Sequence, residues 1–533
     1  MVSTRRLLRS NGPALAIAGV TAFIFWPAVS FDWLRYWDDG AHLIWNEGYK
    51  GLSPTHLSWM SRPFIGQWMP LTWLSWAIDF KLWGLDPSAY HRTNVLLHAL
   101  NAGLLFLVAR RLLHSTWGAL AAALLWALHP MRVESVAWVN ERRDVLSGLF
   151  YLLAILTYLK GVMPHFPGTE STREHPDTGG RIRLTNTRWL VVSVICFALA
   201  VLSKALAVSL PIVLLLLDYY PLRRRAFLEK LPYVAISVVG TVMAFAAILP
   251  MQVVAPLEWI SLDDRLLLTA YSLWFYPLTT LWPSGLSPMY ELTFLPRWTE
   301  WRYLGAVLGV GICSAIAIRG RRRWPAWSVA WAAYVVTVLP VSGLFQNGYQ
   351  LVALRYGYLA TLPLILLVGA GADGLWRRPW WPARLLPGAA GGALGVLAML
   401  TTAFLPVYRT DTVLWTRAIE YDPGCVMCAN YLVHGGDLRV ALTVLAGVVA
   451  AHPEIQEQRF QLGMVAYIRA RGPEGEAHFR EYLRLAEARA PGYIRRIEVE
   501  RQQHMAMARS VLTGRRPDGR IFDGELRGFE RVR

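Results

Sequence analysis

Charge is what this sequence is short of. Of 533 residues only 17% are charged, against roughly a quarter in an ordinary soluble domain, which excludes water as the solvent of much of the chain. Cysteine is scarce too: four are too few for a disulfide framework. Cys196 and Cys313 lie in apolar runs and read as packing residues. Cys425 and Cys428 form a single C-x-x-C, and with no second pair zinc is disfavoured. A local disulfide and two free thiols both stay open. Also missing are a Gly-rich phosphate loop, an H-E-x-x-H pair and a nucleophile elbow, so ATP-driven transport and the familiar hydrolase designs lack support.

Long apolar runs take the place of charge: 13–31, 93–113, 189–220, 231–250 and 385–406. About 20 apolar residues in a helix cross the hydrocarbon core, and these runs suffice. The 25 tryptophans fit, because indole rings settle at the lipid headgroups. The net charge of +17 is not arranged for nucleic acid. Its arginines sit in short clusters between apolar runs (Arg5, Arg6 and Arg9; Arg110 and Arg111; Arg223 to Arg225; Arg319 with Arg321 to Arg323; Arg377 and Arg378), the pattern of cytoplasmic turns. The first run is longer than a signal-peptide core and lacks a small-residue cleavage site, so it reads as a retained anchor.

Placing every basic cluster in the cytoplasm predicts an all-α polytopic protein of about 11 transmembrane helices. The transmembrane domain is residues 1–407, with external loops 32–90, 129–144 and 251–302. The run 189–225 is too long for one crossing and divides near Ser203-Lys204. The segment 265–282 is apolar enough to span, yet counting it would put Arg319 to Arg323 outside, so it reads as re-entrant or interfacial. The polar stretch 160–188 is a mobile cytoplasmic loop. From residue 408 to 515 the composition is that of a soluble helical domain. Prolines at intervals of about 30 to 38 residues suggest degenerate tetratricopeptide-like repeats, with a plain helical tail as the alternative. Residues 516–533 are a candidate disordered tail. The expected location is a bacterial inner membrane, with the N-terminus cytoplasmic and the C-terminal domain periplasmic.

The chemistry-bearing residues gather on the external side. Asp38 and Asp39 follow the first helix, and adjacent carboxylates suit a held proton or cation; solvated capping aspartates are the plainer reading. His129 to Asp144 carries both signs of charge, Glu134 and Arg143 among them, close to the membrane, where ionisable groups are costly unless paired or functional. A structural ion-pair network is the alternative. A tryptophan-rich amphipathic stretch, 68–76, leads to His91 and Asn94 at the second helix. His98 and Asn101 lie deeper and suit bonds between helices better than metal ligation. Lys204 stands in an apolar run, and Arg355 with Tyr356 follows a polar turn, 346–350. Such cations could hold a phosphate or snorkel to headgroups.

Read in series, these segments resemble one family. W-D-D after the first helix, W-x-P-L-T-W-L-S-W, H-R-T-N-V-L-L-H-A-L-N-A, H-P-M-R-V-E-S-V-A-W-V-x-E-R-R-D-V-L-S, L-L-L-L-D-Y-Y-P-L and L-W-P-S-G-L-S-P-M-Y are similar to bacterial relatives of the transmembrane-and-tetratricopeptide O-mannosyltransferases. Those are lipid-linked-sugar glycosyltransferases of the GT-C class. The resemblance covers roughly residues 15–435. It implies a donor sugar on a polyprenyl phosphate, transferred at the outer membrane face to a periplasmic protein or glycan acceptor such as Ser or Thr. It implies that Asp38 or Asp39 is catalytic base or, where a divalent cation (Mg or Mn) is used, metal ligand, with Asp38 favoured. Glu134 and Asp144 would complete the acidic site. Arg143, Lys204 and Arg355 would face the donor phosphate, with Tyr356 and Tyr290 nearby; His91, Asn94 and His129 are further site candidates. The class implies inversion at the sugar. One departure stands out: relatives read A-D-R-Y where this chain has Ala353-Leu354-Arg355-Tyr356, which bears on specificity or activity. Two other readings compete. A non-catalytic anchor presenting a helical-repeat module would tolerate loss of the acidic residues. A lipid-linked-sugar transporter would need a polar path that these apolar runs hardly offer.

Overall fold

The computed structural model describes residues 4–163, 186–251, 254–345, 350–377, 385–453, 455–468, 472–488 and 495–513. Most of the expected loop 160–188, the polar turn 346–349 and the expected tail 516–533 lie outside the described residues. Among the described residues the chain is helical, apart from one two-stranded antiparallel ribbon, β1 (Tyr290–Glu291) and β2 (Gln350–Val352).

The membrane domain begins with α1 (Thr4–Phe25). A loop carrying α2 (Pro54–Met60) and α3 (Pro70–Trp83) follows, then α4 (Pro87–Leu113), α5 (Thr116–Ala127), α6 (Val133–Ala137) and α7 (Arg142–Val162). After the undescribed loop come α8 (Thr187–Ser203), α9 (Leu210–Tyr219), α10 (Leu231–Ile248), α11 (Leu262–Leu281), α12 (Trp301–Arg319), α13 (Pro325–Val338), α14 (Gly357–Ala360), α15 (Leu362–Trp376) and α16 (Leu385–Phe404). Six helices are long and apolar enough to cross a membrane, and α14 with α15, bent by 59°, makes a seventh. Shorter apolar helices, 116–127, 187–203, 205–219 and 325–341, fall where the remaining crossings were expected. The break between α8 and α9 falls at Lys204, where the sequence placed it. α11 starts with a capping box, Ser261 with Asp264, and is not among the long apolar spans.

Small residues and polar side chains hold the bundle, as they must where lipid is as apolar as leucine. α5 crosses α15 at Gly118 and Gly369, where a Cβ on Gly369 would sit 2.5 Å from the Gly118 carbonyl oxygen. His98 bonds the Tyr358 hydroxyl (2.9 Å) and the Ala127 carbonyl (3.1 Å). Asn101 donates to the Val145 carbonyl and to Tyr358. Both residues bond neighbouring helices, as expected. At the far end of α7 a second polar knot is buried: Tyr158 and Lys230 both donate to Asp218, at 2.5 and 2.6 Å.

Six further helices form the C-terminal domain: α17 (Asp411–Tyr421), α18 (Val426–Gly435), α19 (Leu438–Ala451), α20 (Gln456–Ile468), α21 (Gly472–Ala488) and α22 (Arg495–Leu512). Cys425 and Cys428 are joined in a disulfide at the start of α18. This domain docks on the loop after α1. The Asp32 amide donates to the Arg409 carbonyl (3.1 Å), the Arg35 amide to Asp411 (2.9 Å), and Trp415 meets Trp37 edge-on. Glu291, from the ribbon, accepts from the amides of Val426 and Met427 and so caps α18. The C-terminal domain and the first loop therefore share one side of the membrane.

Candidate active site

Four segments distant in sequence supply the site: the loop after α1, the stretch from Pro130 into α7, the break between α8 and α9, and the short turn Leu354–Tyr356 before α14. Their polar groups meet because helix ends and breaks expose backbone and aim side chains that a continuous helix would turn to lipid.

The two adjacent aspartates are not equivalent. Asp39 is fully buried, and its oxygens accept from the amides of Leu34 (2.9 Å) and Asn140 (3.1 Å). Burial, with Asp411 and Asp38 nearby, holds its carboxyl well above the usual range despite those donors. It pins the first loop to the segment before α7. Asp38 is half-buried and accepts one bond, from the Asn140 side chain (3.1 Å). Among the described residues, then, Asp38 keeps one oxygen without a bond, while both oxygens of Asp39 accept from backbone amides. Among the described residues no group of three or more His, Cys, Asp or Glu is placed to hold a metal by itself.

Behind Asp38 lies a charge network centred on Glu141, which is fully buried. Arg143 (2.5 Å) and Arg355 (3.2 Å) meet one of its oxygens, and Lys204 (3.0 Å) meets the other. Lys204 also reaches Asp144 at 2.6 Å, and Asp144 accepts from Ser135. Arg355 pairs with Glu134 through its guanidinium and donates its amide to the same carboxylate (3.1 Å). Burial raises the Glu134 carboxyl from its usual range, and Arg355 opposes that. Three carboxylates thus face three cations, which is how buried charge becomes tolerable. Of these cations Lys204 is the most exposed, with 14% of its side chain accessible.

The other predicted residues surround this centre in supporting positions. Asn94 donates to the Val136 and Trp138 carbonyls and accepts from Arg142. His129 caps the turn of Pro130–Arg132 and bonds the Thr280 carbonyl. His91 packs edge-on against Phe31, with one ring nitrogen 3.4 Å from the Asp32 carbonyl. Tyr290 is buried in β1, its hydroxyl accepting from the Ser287 amide. Tyr356 is half-buried, and the Arg355 guanidinium lies 5.0 Å from its ring. Leu354 is fully buried, so the position where relatives carry an acid is a packing position here.

No family model matches the chain. Protein O-mannosyl-transferase TMTC4 of Homo sapiens is 30% identical over 214 residues, 36% of this chain and 27% of that protein. Protein O-mannosyl-transferase Tmtc1 of Drosophila melanogaster is 44% identical over 98 residues, 18% of this chain and 11% of that protein. The chain is related to the protein O-mannosyltransferases. The matches span only 11% to 27% of those relatives' own length. A crystal structure of ArnT from Cupriavidus metallidurans bound to undecaprenyl phosphate aligns over 90% of this chain and 81% of that one. Its sequence identity is 14% and its TM-score 0.35, a likeness too loose to bear on chemistry.

Several residues at the site escaped the sequence reading. Glu141 stood inside the family-like motif, yet nothing local distinguishes it from Glu134 or Asp144; besides Arg143, its cations lie 63 and more residues away. Gln67, which accepts from Arg143, and Asn140, which bonds both aspartates, carried no signal at all. Arg142 proves structural: it donates to Asp79 (2.8 Å), to Ser75 and to the Tyr90 carbonyl, tying α7 to α3 and α4.

Asp411 offers a pH test of domain docking. Burial pushes its carboxyl up to about 7. A folded-state pKa raised above the unfolded value of about 3.9 gives stability that is fully present below pH 4 and lost as pH rises through 7. Asp411→Asn is expected to flatten that decline and raise the thermal midpoint at pH 8. An unchanged pH profile by scanning calorimetry in detergent would remove Asp411 from the docking interface.

Proposed function

We propose that the chain is a GT-C type glycosyltransferase that moves mannose from a polyprenyl-phosphate donor to a hydroxyl acceptor, such as a protein Ser or Thr, with inversion. The observation that carries this reading is the half-buried carboxylate Asp38 set beside a cation cluster, with a single side-chain bond among the described residues. An acceptor hydroxyl is a poor nucleophile until a base takes its proton. Asp38 suits that role, since one of its oxygens is free. The departing lipid phosphate gathers charge, which Lys204, with Arg143 and Arg355 behind it, would stabilise. A single base with direct attack needs no covalent intermediate and inverts the anomeric carbon. A divalent cation, where one is used, would be held by Asp38 and Asp39.

The relatives' printed names supply the sugar and the acceptor chemistry. Periplasmic placement in a bacterial inner membrane is favoured by the disulfide of the docked domain, since disulfides persist in oxidising compartments. It is also favoured by the arginine clusters between the apolar runs, the pattern of cytoplasmic turns. The C-terminal helices would present or select the acceptor as tetratricopeptide-like repeats.

The test is transfer of radiolabelled mannose from polyprenyl-phosphate mannose, with membranes holding the protein. Lys204→Gln removes a charge-assisted bond worth about 1.5–3 kcal/mol, so the KM for donor should rise about tenfold or more. Equal donor use by the variant would remove Lys204 from the phosphate site. Absence of transfer by the wild type, with hydroxyl acceptors supplied, would favour the anchor reading.

A further inference from the structure

An apolar cavity of about 170 Å³ lies within the bundle, lined by α4, α7, α9, α13 and α15. Its inner end is formed by Leu113, Tyr220, Pro221 and Ala326; Tyr151 lies toward the other end. Asp144 and Tyr158 mark the two ends of α7, about 21 Å apart at 1.5 Å per residue. The Leu113–Pro221–Ala326 end therefore belongs to the membrane face opposite the acidic site. Cavities of this size and polarity stay dry and take up hydrocarbon.

Arginines neighbour that end in sequence. Pro221 is followed by Arg223, Arg224 and Arg225, and Ala326 follows Arg321 to Arg323. The turn after α9 is built rather than loose. The Arg224 amide donates to the Asp218 carbonyl (2.8 Å), its guanidinium turns in to Glu229 (2.6 Å), and Asp218 is locked by Tyr158 and Lys230. With Arg224 drawn inward, Arg223 and Arg225 are left exposed on either side of it. Arg223 holds φ +52°, a left-handed conformation that favours glycine, so the turn keeps a charged side chain where backbone alone would choose otherwise.

We infer that this is a binding site for an anionic glycerophospholipid of the inner leaflet, its acyl chain in the cavity and its phosphate on Arg223 and Arg225. Charge complementarity selects the occupant: a zwitterionic headgroup brings no net charge to the arginines, and a free phosphate has nothing for the cavity. The site is separate from the proposed donor site, at the opposite end of α7, and does not depend on that reading.

The experiment is binding of dioctanoyl-phosphatidylglycerol to the full chain in detergent, against dioctanoyl-phosphatidylcholine, inorganic phosphate and polyprenyl phosphate. The expected result is saturable binding of the phosphatidylglycerol alone. Its Kd should rise about tenfold in the double variant Arg223→Gln with Arg225→Gln, and likewise in Ala330→Trp, which fills the cavity; such a change is 1.4 kcal/mol. Ala370→Leu serves as a gentler filling if tryptophan prevents folding. Binding unaffected by both kinds of variant overturns the assignment, as does equal binding of phosphatidylcholine. Preferential binding of polyprenyl phosphate would give the cavity to a different lipid and also overturn it.

Discussion

Asp38→Asn is expected to lower mannose transfer by about 10²–10⁴, the usual contribution of a positioned base. The fold should not notice, because asparagine can still accept from the Asn140 side chain, the one side-chain bond Asp38 makes. Asp39→Ala should do the reverse. It strips two buried amides, those of Leu34 and Asn140, of their acceptor. At about 1–3 kcal/mol for each orphaned group, it should unfold the first loop before any chemistry can be measured. The comparison is made with both variants in one detergent, by thermal unfolding and by transfer from labelled donor. If Asp38→Asn keeps wild-type transfer, the base lies elsewhere. If Asp39→Ala is as stable as wild type, the loop is held by other means.

Glu141→Gln is the second large effect, and it is a stability effect. Glutamine keeps the shape but removes the negative charge on which Arg143, Lys204 and Arg355 converge. The buried cluster then carries an uncompensated cation, a situation that typically costs about 3–5 kcal/mol. Neutralising one cation should recover part of this. Arg143 is the suitable choice, since Glu141 is its only ion-pair partner among the described residues. The double variant Glu141→Gln with Arg143→Gln is therefore expected to be more stable than Glu141→Gln alone. A double variant worse than either single one would mean that geometry, not charge balance, makes Glu141 indispensable.

The network also gives the docked domain a physical route to the site. Trp415 of α17 meets Trp37, Trp37 stacks on Trp138 at 3.6 Å, and the Arg355 guanidinium lies 5.5 Å from the Trp138 ring. On the other flank, Glu291 caps α18 and β1 pairs with β2, whose Gln350 accepts from Arg355 at 2.5 Å. Displacement of α17 or α18 would thus be felt at Arg355.

The long crossings were legible in sequence because spanning a bilayer needs long apolar runs, and a run cannot hide its length. The break at Lys204 was legible for the same reason: a lysine in apolar surroundings demands a helix end or a partner. Here it has both. The acidic and basic candidates were legible as a set, since charge this near lipid needs an explanation.

What each of them does was not legible. Asp38 and Asp39 are neighbours of the same type, and only the fold decides which turns both oxygens to backbone amides. Arg142 and Arg143 are likewise adjacent, yet one ties helices together through Asp79 and the other faces Glu141. The sequence by itself determined the lipid solvent, the helix positions and the inventory of charge, because these depend on local composition and length. The tertiary structure alone decided which charges meet, since Arg355 lies 221 residues from Glu134 and pairing across that distance is set by packing.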